Sequence, residues 1–122
     1  MSVFRLECEV INVTDPSRSS VVPQLLVDTG SKLTWLPEAV LHQVGVRMVK
    51  KDLPFLMANG QTMTRSAGYA ILRGSGFETV DEVVFGQPGD LALLGARTLE
   101  GFGATVDPSN KRLVAAGPHP AA

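Results

Sequence analysis

The segment at residues 25–37 reads LLVDTGSKLTWLP: an apolar run, one carboxylate, a short polar loop, and a second apolar run that ends in proline. Burying Asp28 directly after three apolar residues costs free energy unless the charge has a partner or a chemical role. Gly30 lets backbone and ligand approach the acid closely, and the Thr29 hydroxyl is able to hold the loop. The segment therefore predicts a strand, a loop that carries chemistry, and a second strand.

An Asp-Thr-Gly tripeptide is also what an ordinary turn would contain, because Asp and Gly both favour turns. At average residue usage, such a tripeptide occurs by chance in roughly one chain in forty of this length. The tripeptide alone therefore leaves two interpretations open, a simple turn and a catalytic loop.

Length and composition predict a single globular domain over residues 1–122, with residues 115–122 as a frayed tail. A net charge of −1 gives no electrostatic reason to expect binding to nucleic acid or to an anionic membrane. No stretch approaches the roughly 18 apolar residues that a membrane span requires. The first residues also lack the apolar run of a signal peptide. We therefore expect a soluble, cytoplasmic protein.

Short strands separated by turn residues predict an all-β fold, a small barrel or sandwich. Residues 3–13 alternate between apolar and polar side chains, which predicts a half-buried strand with Cys8, the only cysteine, in the core. The apolar run at 21–27 predicts a buried strand that starts, near Pro23, at a sheet edge. Further strand signals lie at 33–36, 69–72, 79–85, 91–94, 104–106 and 112–114.

One helix is expected to begin at Pro37, which suits the first helical position, and to stop at Gly45. Trp35 is expected to pack against this helix. A second, short helical turn is expected at 97–102. Asn59-Gly60 is the strongest hairpin signal, because Asn and Gly tolerate the positive φ angles of a type I′ turn.

The segment 25–37 as a whole resembles the active-site segment of aspartic proteases, in which an apolar run, Asp-Thr-Gly-Ser and an apolar strand with Trp and Pro follow one another. Further along, Leu93-Leu94-Gly95-Ala96 resembles the second signature of that family, a strand that supports the active-site loop. Between the two, residues 58–61 fall where the family places the tip of its flap. The resemblance covers residues 20–115 in the right order.

The chain contains a single Asp-Thr-Gly, whereas the pepsin branch of the family carries one Asp in each of two lobes. Asp107 precedes Pro108 in a turn and does not match the motif. The chain is therefore similar to the retropepsin branch, the single-lobe retroviral-type proteases and their bacterial relatives, which work as two-fold homodimers. The resemblance implies a small closed β-barrel of the retropepsin type with one or two short helices. It also supplies the partner of Asp28, which is Asp28 of a second copy.

This resemblance implies an aspartic endopeptidase that acts on a peptide or protein substrate and needs no metal and no cofactor. Two facing carboxylates share one proton, so that the ionised one activates a water and the protonated one donates to the scissile carbonyl. The catalytic loop would be Asp28, Thr29 and Gly30. The substrate-binding residues would be Gly30, Ser31, Met57, Ala58, Asn59 and Gly60.

Retroviral members commonly place Ala and then an acid after Asp-Thr-Gly, and an Arg after the second-motif Gly, and this acid and Arg pair. Here Ser31, Lys32 and Ala96 occupy those positions, so both members of that ion pair are replaced. The departure concerns the dimer contacts and the binding of the substrate backbone rather than the dyad.

Three alternatives stay open. In the first, the hairpin at Asn59-Gly60 is an ordinary one without contact to a substrate. In the second, the chain is a catalytically inactive retropepsin-like module for dimerisation or peptide binding. In the third, the isolated chain is a monomer until a partner or a substrate brings two copies together.

Overall fold

Strands make up most of the structure, a computed structural model that describes residues 4–121. The expected all-β fold is thus confirmed in its coarser form, since the structure is mostly β with two short helices. The predicted strand at 3–13 and the predicted tail at 115–122 each extend by one residue outside the described range. In chain order the elements are β1 (Arg5–Ile11), β2 (Ser19–Val27), β3 (Thr34–Pro37), α1 (Glu38–Val44), β4 (Lys50–Leu56), β5 (Thr62–Gly74), β6 (Phe77–Gly86), β7 (Leu93–Leu94), α2 (Ala96–Phe102), β8 (Ala104–Asp107) and β9 (Arg112–Ala115). Neither helix is long and apolar enough to cross a membrane within this part of the chain.

Seven of the strands form one sheet in the order β1-β2-β7-β3-β6-β5-β4, and β1 pairs in addition with β5. This extra pairing is antiparallel and joins residues 9–11 to residues 71–73. Because β1 contacts both β2 and β5, the sheet curls into a ring-like arrangement. Strands β8 and β9 form a separate two-stranded sheet. The retropepsin type and the two-fold dimer stay predictions.

The main core cluster combines alternate residues of β1 with side chains from the other strands and both helices. Leu6, Cys8 and Val10 are all buried, as the alternation of residues 3–13 predicts. Burial raises the pKa of the Cys8 thiol to about 12, because an apolar environment disfavours the thiolate.

Strand β2 is not the buried strand that its apolar sequence predicts. Only Leu25 is fully buried, and Val21 is 49% exposed. Along most of its length β2 pairs with β1 alone, and it meets β7 only at Leu26 and Val27. The first half of β2 is therefore a sheet edge, as Pro23 indicates.

Helix α1 confirms the helix predicted after Pro37, although Pro37 is the N-cap residue rather than the first helical residue. The helix ends at Gly45, whose φ of +83° is the left-handed conformation that favours glycine. Leu41 and Val44 are buried on its core-facing side.

The hairpin between β4 and β5 is confirmed, but its turn is not of type I′. Gly60 has a φ of +83°, whereas Asn59 is not among the residues with positive φ. The Gly60 amide donates to the Met57 carbonyl (2.9 Å), and the Met57 amide donates to the Gln61 carbonyl (2.8 Å). Residues 58–60 therefore form a three-residue loop. The prediction of a type I′ turn was wrong because Asn-Gly tolerates that turn without requiring it.

A two-residue turn with positive φ at both positions lies instead at Ser75-Gly76, with φ values of 53° and 83°. Gly74 and Phe77 pair directly across it. This turn connects β5 to β6 at the end of the sheet where β5 also pairs with β1.

Candidate active site

Asp28 directly follows β2, at the point where β2 runs beside β7. Its amide donates to the Leu94 carbonyl (3.0 Å), and its own carbonyl accepts from the Ser31 amide (3.2 Å). The side-chain oxygen Oδ1 accepts from the Gly30 amide (2.9 Å). Oδ2 accepts no hydrogen bond from residues 4–121, and the side chain is half-buried. One carboxylate oxygen is thus held by the loop while the other can face a ligand.

The loop leaves little space for a side chain at position 30, next to Asp28. A Cβ atom placed on Gly30 would lie 3.2 Å from Asp28 Oδ1. That separation is tighter than ordinary van der Waals contact, so a larger residue would press on the carboxylate. Glycine here keeps both the amide and the acid accessible, as the sequence predicts.

The segment Leu94-Gly95 passes directly behind this loop. A Cβ atom on Gly95 would collide with the carbonyl of Leu33 and would lie 2.9 Å from the carbonyl of Ser31. The backbones approach so closely that only glycine fits between them. The second sequence signature therefore supports the first one from behind, which was the role expected of it.

Two further backbone hydrogen bonds fix the residues that follow Gly30. The Ala96 amide donates to the Ser31 carbonyl (2.7 Å), and the Arg97 amide donates to the Lys32 carbonyl (3.0 Å). The Ser31 hydroxyl donates to the Leu33 carbonyl (2.9 Å). The start of helix α2 thus holds the loop through backbone hydrogen bonds.

A buried polar network lies beneath the loop, and the sequence did not predict it. The Gly95 amide donates to the Thr34 hydroxyl (3.0 Å), which lies 2.6 Å from the Thr98 hydroxyl. Thr98 donates to Asp81 Oδ2 (2.8 Å), so Thr34 donates to Thr98. Thr34 and Thr98 are fully buried, and Asp81 is 7% exposed. The one available signal was a threonine inside an otherwise apolar strand.

Arg97 covers the outer side of this network. Its guanidinium lies 3.5 Å from Asp81 and 3.6 Å from Glu82. Lys50 donates to the same Glu82 carboxylate (3.0 Å). The two nearly buried carboxylates therefore have cationic partners, which compensates for their desolvation.

A cleft of about 660 Å³ lies in front of the Asp28 loop. Its walls come from the loop after β2, the hairpin between β4 and β5, and the segment that precedes β7. The lining residues are Asp28, Gly30, Ser31, Lys32, Leu33, Trp35, Phe55, Leu56, Met57, Ala58, Met63, Gly89, Asp90, Leu91 and Leu93.

The structure brings together five of the residues that the sequence assigned to the site. Asp28, Gly30 and Ser31 line the cleft from the loop, and Met57 and Ala58 line it from the hairpin. The other three assigned residues are exposed and lie outside its lining: Thr29, Asn59 and Gly60. The hairpin thus borders the cleft through residues 55–58 and Met63, next to its turn, while Asn59 and Gly60 do not line it in a single copy.

Trp35 belongs to the cleft rather than to the contact with helix α1 that the sequence predicts. It packs with Val84 and Leu93, and its ring meets Phe55 edge-on with centroids 5.0 Å apart. Successive side chains of a strand point to opposite faces. Because Thr34 is on the face of the polar network, Trp35 is on the face of the cleft.

An ion pair fixes the opposite wall. Arg65 Nε lies 2.7 Å from Asp90 Oδ2, and Arg65 Nη2 lies 2.9 Å from Asp90 Oδ1, so the pair is bidentate. The hydrogen bond from Arg65 lowers the pKa of Asp90 below its ordinary value. Arg65 thus ties the segment between β6 and β7 to β5, and within that segment Asp90 also accepts from the Gln87 amide (2.8 Å).

The strand predicted at 91–94 is shorter than expected, because only Leu93 and Leu94 belong to β7. Leu91 is 59% exposed and lies on the cleft wall. An apolar run predicts burial, but it does not distinguish a core residue from one that faces a binding site.

No family model matches this chain, and no curated protein matches its sequence. Among residues 4–121, no group of three or more His, Cys, Asp or Glu side chains is placed to hold a metal ion. The functional assignment of the cleft therefore depends on its own geometry and chemistry.

Proposed function

We propose that this chain is an aspartic endopeptidase of the single-lobe, retropepsin type, which hydrolyses peptide bonds as a homodimer. The observation that carries the proposal is the placement of Asp28 in an apolar cleft, with one oxygen bound by the Gly30 amide and the loop supported from behind by Leu94-Gly95. The mostly apolar lining of the cleft suits the apolar side chains of a peptide.

Hydrolysis by carboxylates needs two of them, one as base and one as acid. Among the described residues that line the cleft, Asp28 is the one carboxylate available for this chemistry. Asp90 also lines the cleft, but it is bound in a bidentate ion pair with Arg65. The second carboxylate therefore comes from a second copy whose loop faces the first, and the exposure of Thr29 and Gly30 leaves the loop accessible to it.

In the proposed reaction, the ionised carboxylate takes a proton from a water while the water oxygen bonds to the scissile carbonyl carbon. The protonated carboxylate donates its proton to the carbonyl oxygen, which gives a neutral tetrahedral diol. The diol then breaks its C–N bond. The proton held by the first carboxylate passes to the departing nitrogen, and a diol proton returns to the second. The products are a carboxylic acid and an amine, and the dyad regains its single proton.

The decisive experiment compares Asp28→Asn with Asp107→Asn, a matched change at the end of β8 and outside the cleft lining. Asp28→Asn should keep the fold and the sedimentation behaviour of the wild type while losing peptide cleavage and pepstatin sensitivity. Asp107→Asn should cleave normally. Undiminished cleavage by purified Asp28→Asn would refute the assignment.

The non-catalytic alternative, a retropepsin-like module that dimerises or binds peptides, predicts binding without turnover. Trp35 is the only tryptophan and lines the cleft, so its fluorescence reports occupancy directly. A peptide that changes this fluorescence and stays intact in the wild type, over an acidic to neutral pH range, would favour the module. Sedimentation at several concentrations separates a stable dimer from a monomer that pairs only on its substrate.

A further inference from the structure

Lys32 gives the cleft a charge that the proposed dyad chemistry does not use. Three ionisable side chains line the cleft: Asp28, Lys32 and Asp90. Asp90 is neutralised by Arg65, and Asp28 is the proposed catalytic acid. Lys32 forms no ion pair with any residue in the described part of the chain. Lys32 is therefore the one cationic side chain among the described residues that line the cleft, and it forms an ion pair with none of them.

The backbone of Lys32 is held in place although its side chain is exposed. Its carbonyl accepts from the Arg97 amide (3.0 Å), and the neighbouring carbonyl of Ser31 accepts from the Ala96 amide (2.7 Å). Helix α2 thus anchors the residue from behind. The fixed backbone keeps the flexible Lys32 side chain rooted at the cleft, so that its ammonium group stays within reach of a bound ligand.

The surroundings of Lys32 strengthen its effect on a bound ligand. The other residues that line the same cleft are mostly apolar, among them Leu33, Phe55 and Leu91. A peptide in the cleft displaces water from these side chains, and the interaction between opposite charges increases as the local dielectric falls. A cation beside an apolar cleft favours a substrate that carries a carboxylate near an apolar side chain.

We propose that Lys32 is a specificity-determining residue, and that the cleft prefers peptides with a Glu or Asp side chain within a few residues of the scissile bond. This inference rests on the proposed function. It concerns which peptides are cleaved rather than whether cleavage occurs.

The test uses one cleaved peptide and a set of variants in which each position near the scissile bond carries either Glu or Gln. For the wild type, kcat/KM should be roughly three- to tenfold higher for Glu at one or more positions. Lys32→Met should remove this preference and still cleave the Gln peptides. Lys32→Arg should retain it, and Lys32→Glu should reverse it, so that the Gln peptides are cleaved faster than the Glu peptides.

Lys51→Met is the matched control, because Lys51 is exposed and lies outside the cleft lining. It should keep the preference for Glu. Raising the ionic strength should reduce the preference of the wild type, since an exposed charge pair is screened by salt.

Equal cleavage of the Glu and Gln peptides by the wild type, or an unchanged preference in Lys32→Met, would overturn the role of Lys32 while leaving the protease assignment intact. If the wild type cleaves no peptide, the proposed function fails, and Trp35 fluorescence then measures binding of the same peptides. Tighter binding of Glu peptides by the wild type but not by Lys32→Met would uphold the role of Lys32. Equal binding would overturn it.

Discussion

The hydroxyl of Thr34 lies 2.6 Å from the hydroxyl of Thr98, and this contact joins the strand after the candidate catalytic loop to helix α2. The Thr98 hydroxyl in turn donates a hydrogen bond to the carboxylate of Asp81 on β6 (2.8 Å). The Gly95 amide completes the network at its other end. The loop that carries Asp28 is therefore supported by a buried set of hydrogen bonds in which every hydroxyl has both a donor and an acceptor role.

Replacing Thr98 by Val should destabilise the protein by about 1–3 kcal/mol, because the shape is kept while Thr34 loses its acceptor and Asp81 loses a donor. Thr98→Ser keeps the hydroxyl and should cost less. Urea denaturation of the three proteins measures the difference. Equal stabilities of the Val and Ser variants would show that the network contributes nothing.

Gly95→Ala should reduce the free energy of unfolding by about 3 kcal/mol, because the added methyl group collides with backbone atoms that have no room to move. Gly76→Ala is the control, since Gly76 has a φ of +83° but no atom within 4 Å of the added methyl. The free energy of unfolding of that variant should fall by only about 1 kcal/mol, which is the cost of the left-handed conformation for alanine. The order of the two effects, measured by thermal or urea unfolding, tests the close approach behind the loop; the reverse order would contradict it.

The Arg65–Asp90 pair should make part of the stability depend on pH. The pKa of Asp90 is lowered in the folded state from its ordinary value of 3.8, chiefly by the hydrogen bond from Arg65. A lowered carboxyl pKa contributes stability that is fully present above the unfolded value and is lost as pH falls through the folded value. Asp90→Asn should therefore lose stability at neutral pH and show a smaller further loss in acid than the wild type. Unfolding curves at neutral and strongly acidic pH measure this difference, and identical pH dependence in the two proteins would contradict it.

The thiol of Cys8 should resist labelling in the folded protein. Its pKa is raised to about 12 by burial, so at neutral pH it is present as the inaccessible thiol rather than the reactive thiolate. A chromogenic disulfide reagent should react within seconds in denaturant and only at the rate of opening under native conditions. Fast labelling of the native protein would show that β1 is not packed as described.

The sequence was a good guide where a local pattern has one physical meaning. The alternation of β1, the stop of α1 at Gly45 and the glycine beside Asp28 each follow from periodicity or from steric limits that act within a few residues. The two sequence signatures around Asp28 and Gly95 also lie together, as the resemblance implied.

The sequence did not predict the features of the structure that depend on contacts between residues far apart in the chain. The exposure of β2 follows from which strands pair with it, and the position of Trp35 follows from the face that Thr34 occupies. The bond between Arg65 and Asp90 joins residues that no short motif relates. The turn at Asn59-Gly60 differs for a related reason, since one dipeptide is compatible with loops of two lengths.

The position of β7 between β2 and β3 also bears on when the site can form. The amide of Asp28 meets the carbonyl of Leu94, so the loop lacks its support until the chain has been synthesised beyond Gly95 and has folded back on itself. Contacts between such distant residues form slowly, because the intervening chain must be ordered first. A protease of the proposed kind would thus be inactive as a nascent chain until the residues up to Gly95 have been synthesised and have folded against the loop.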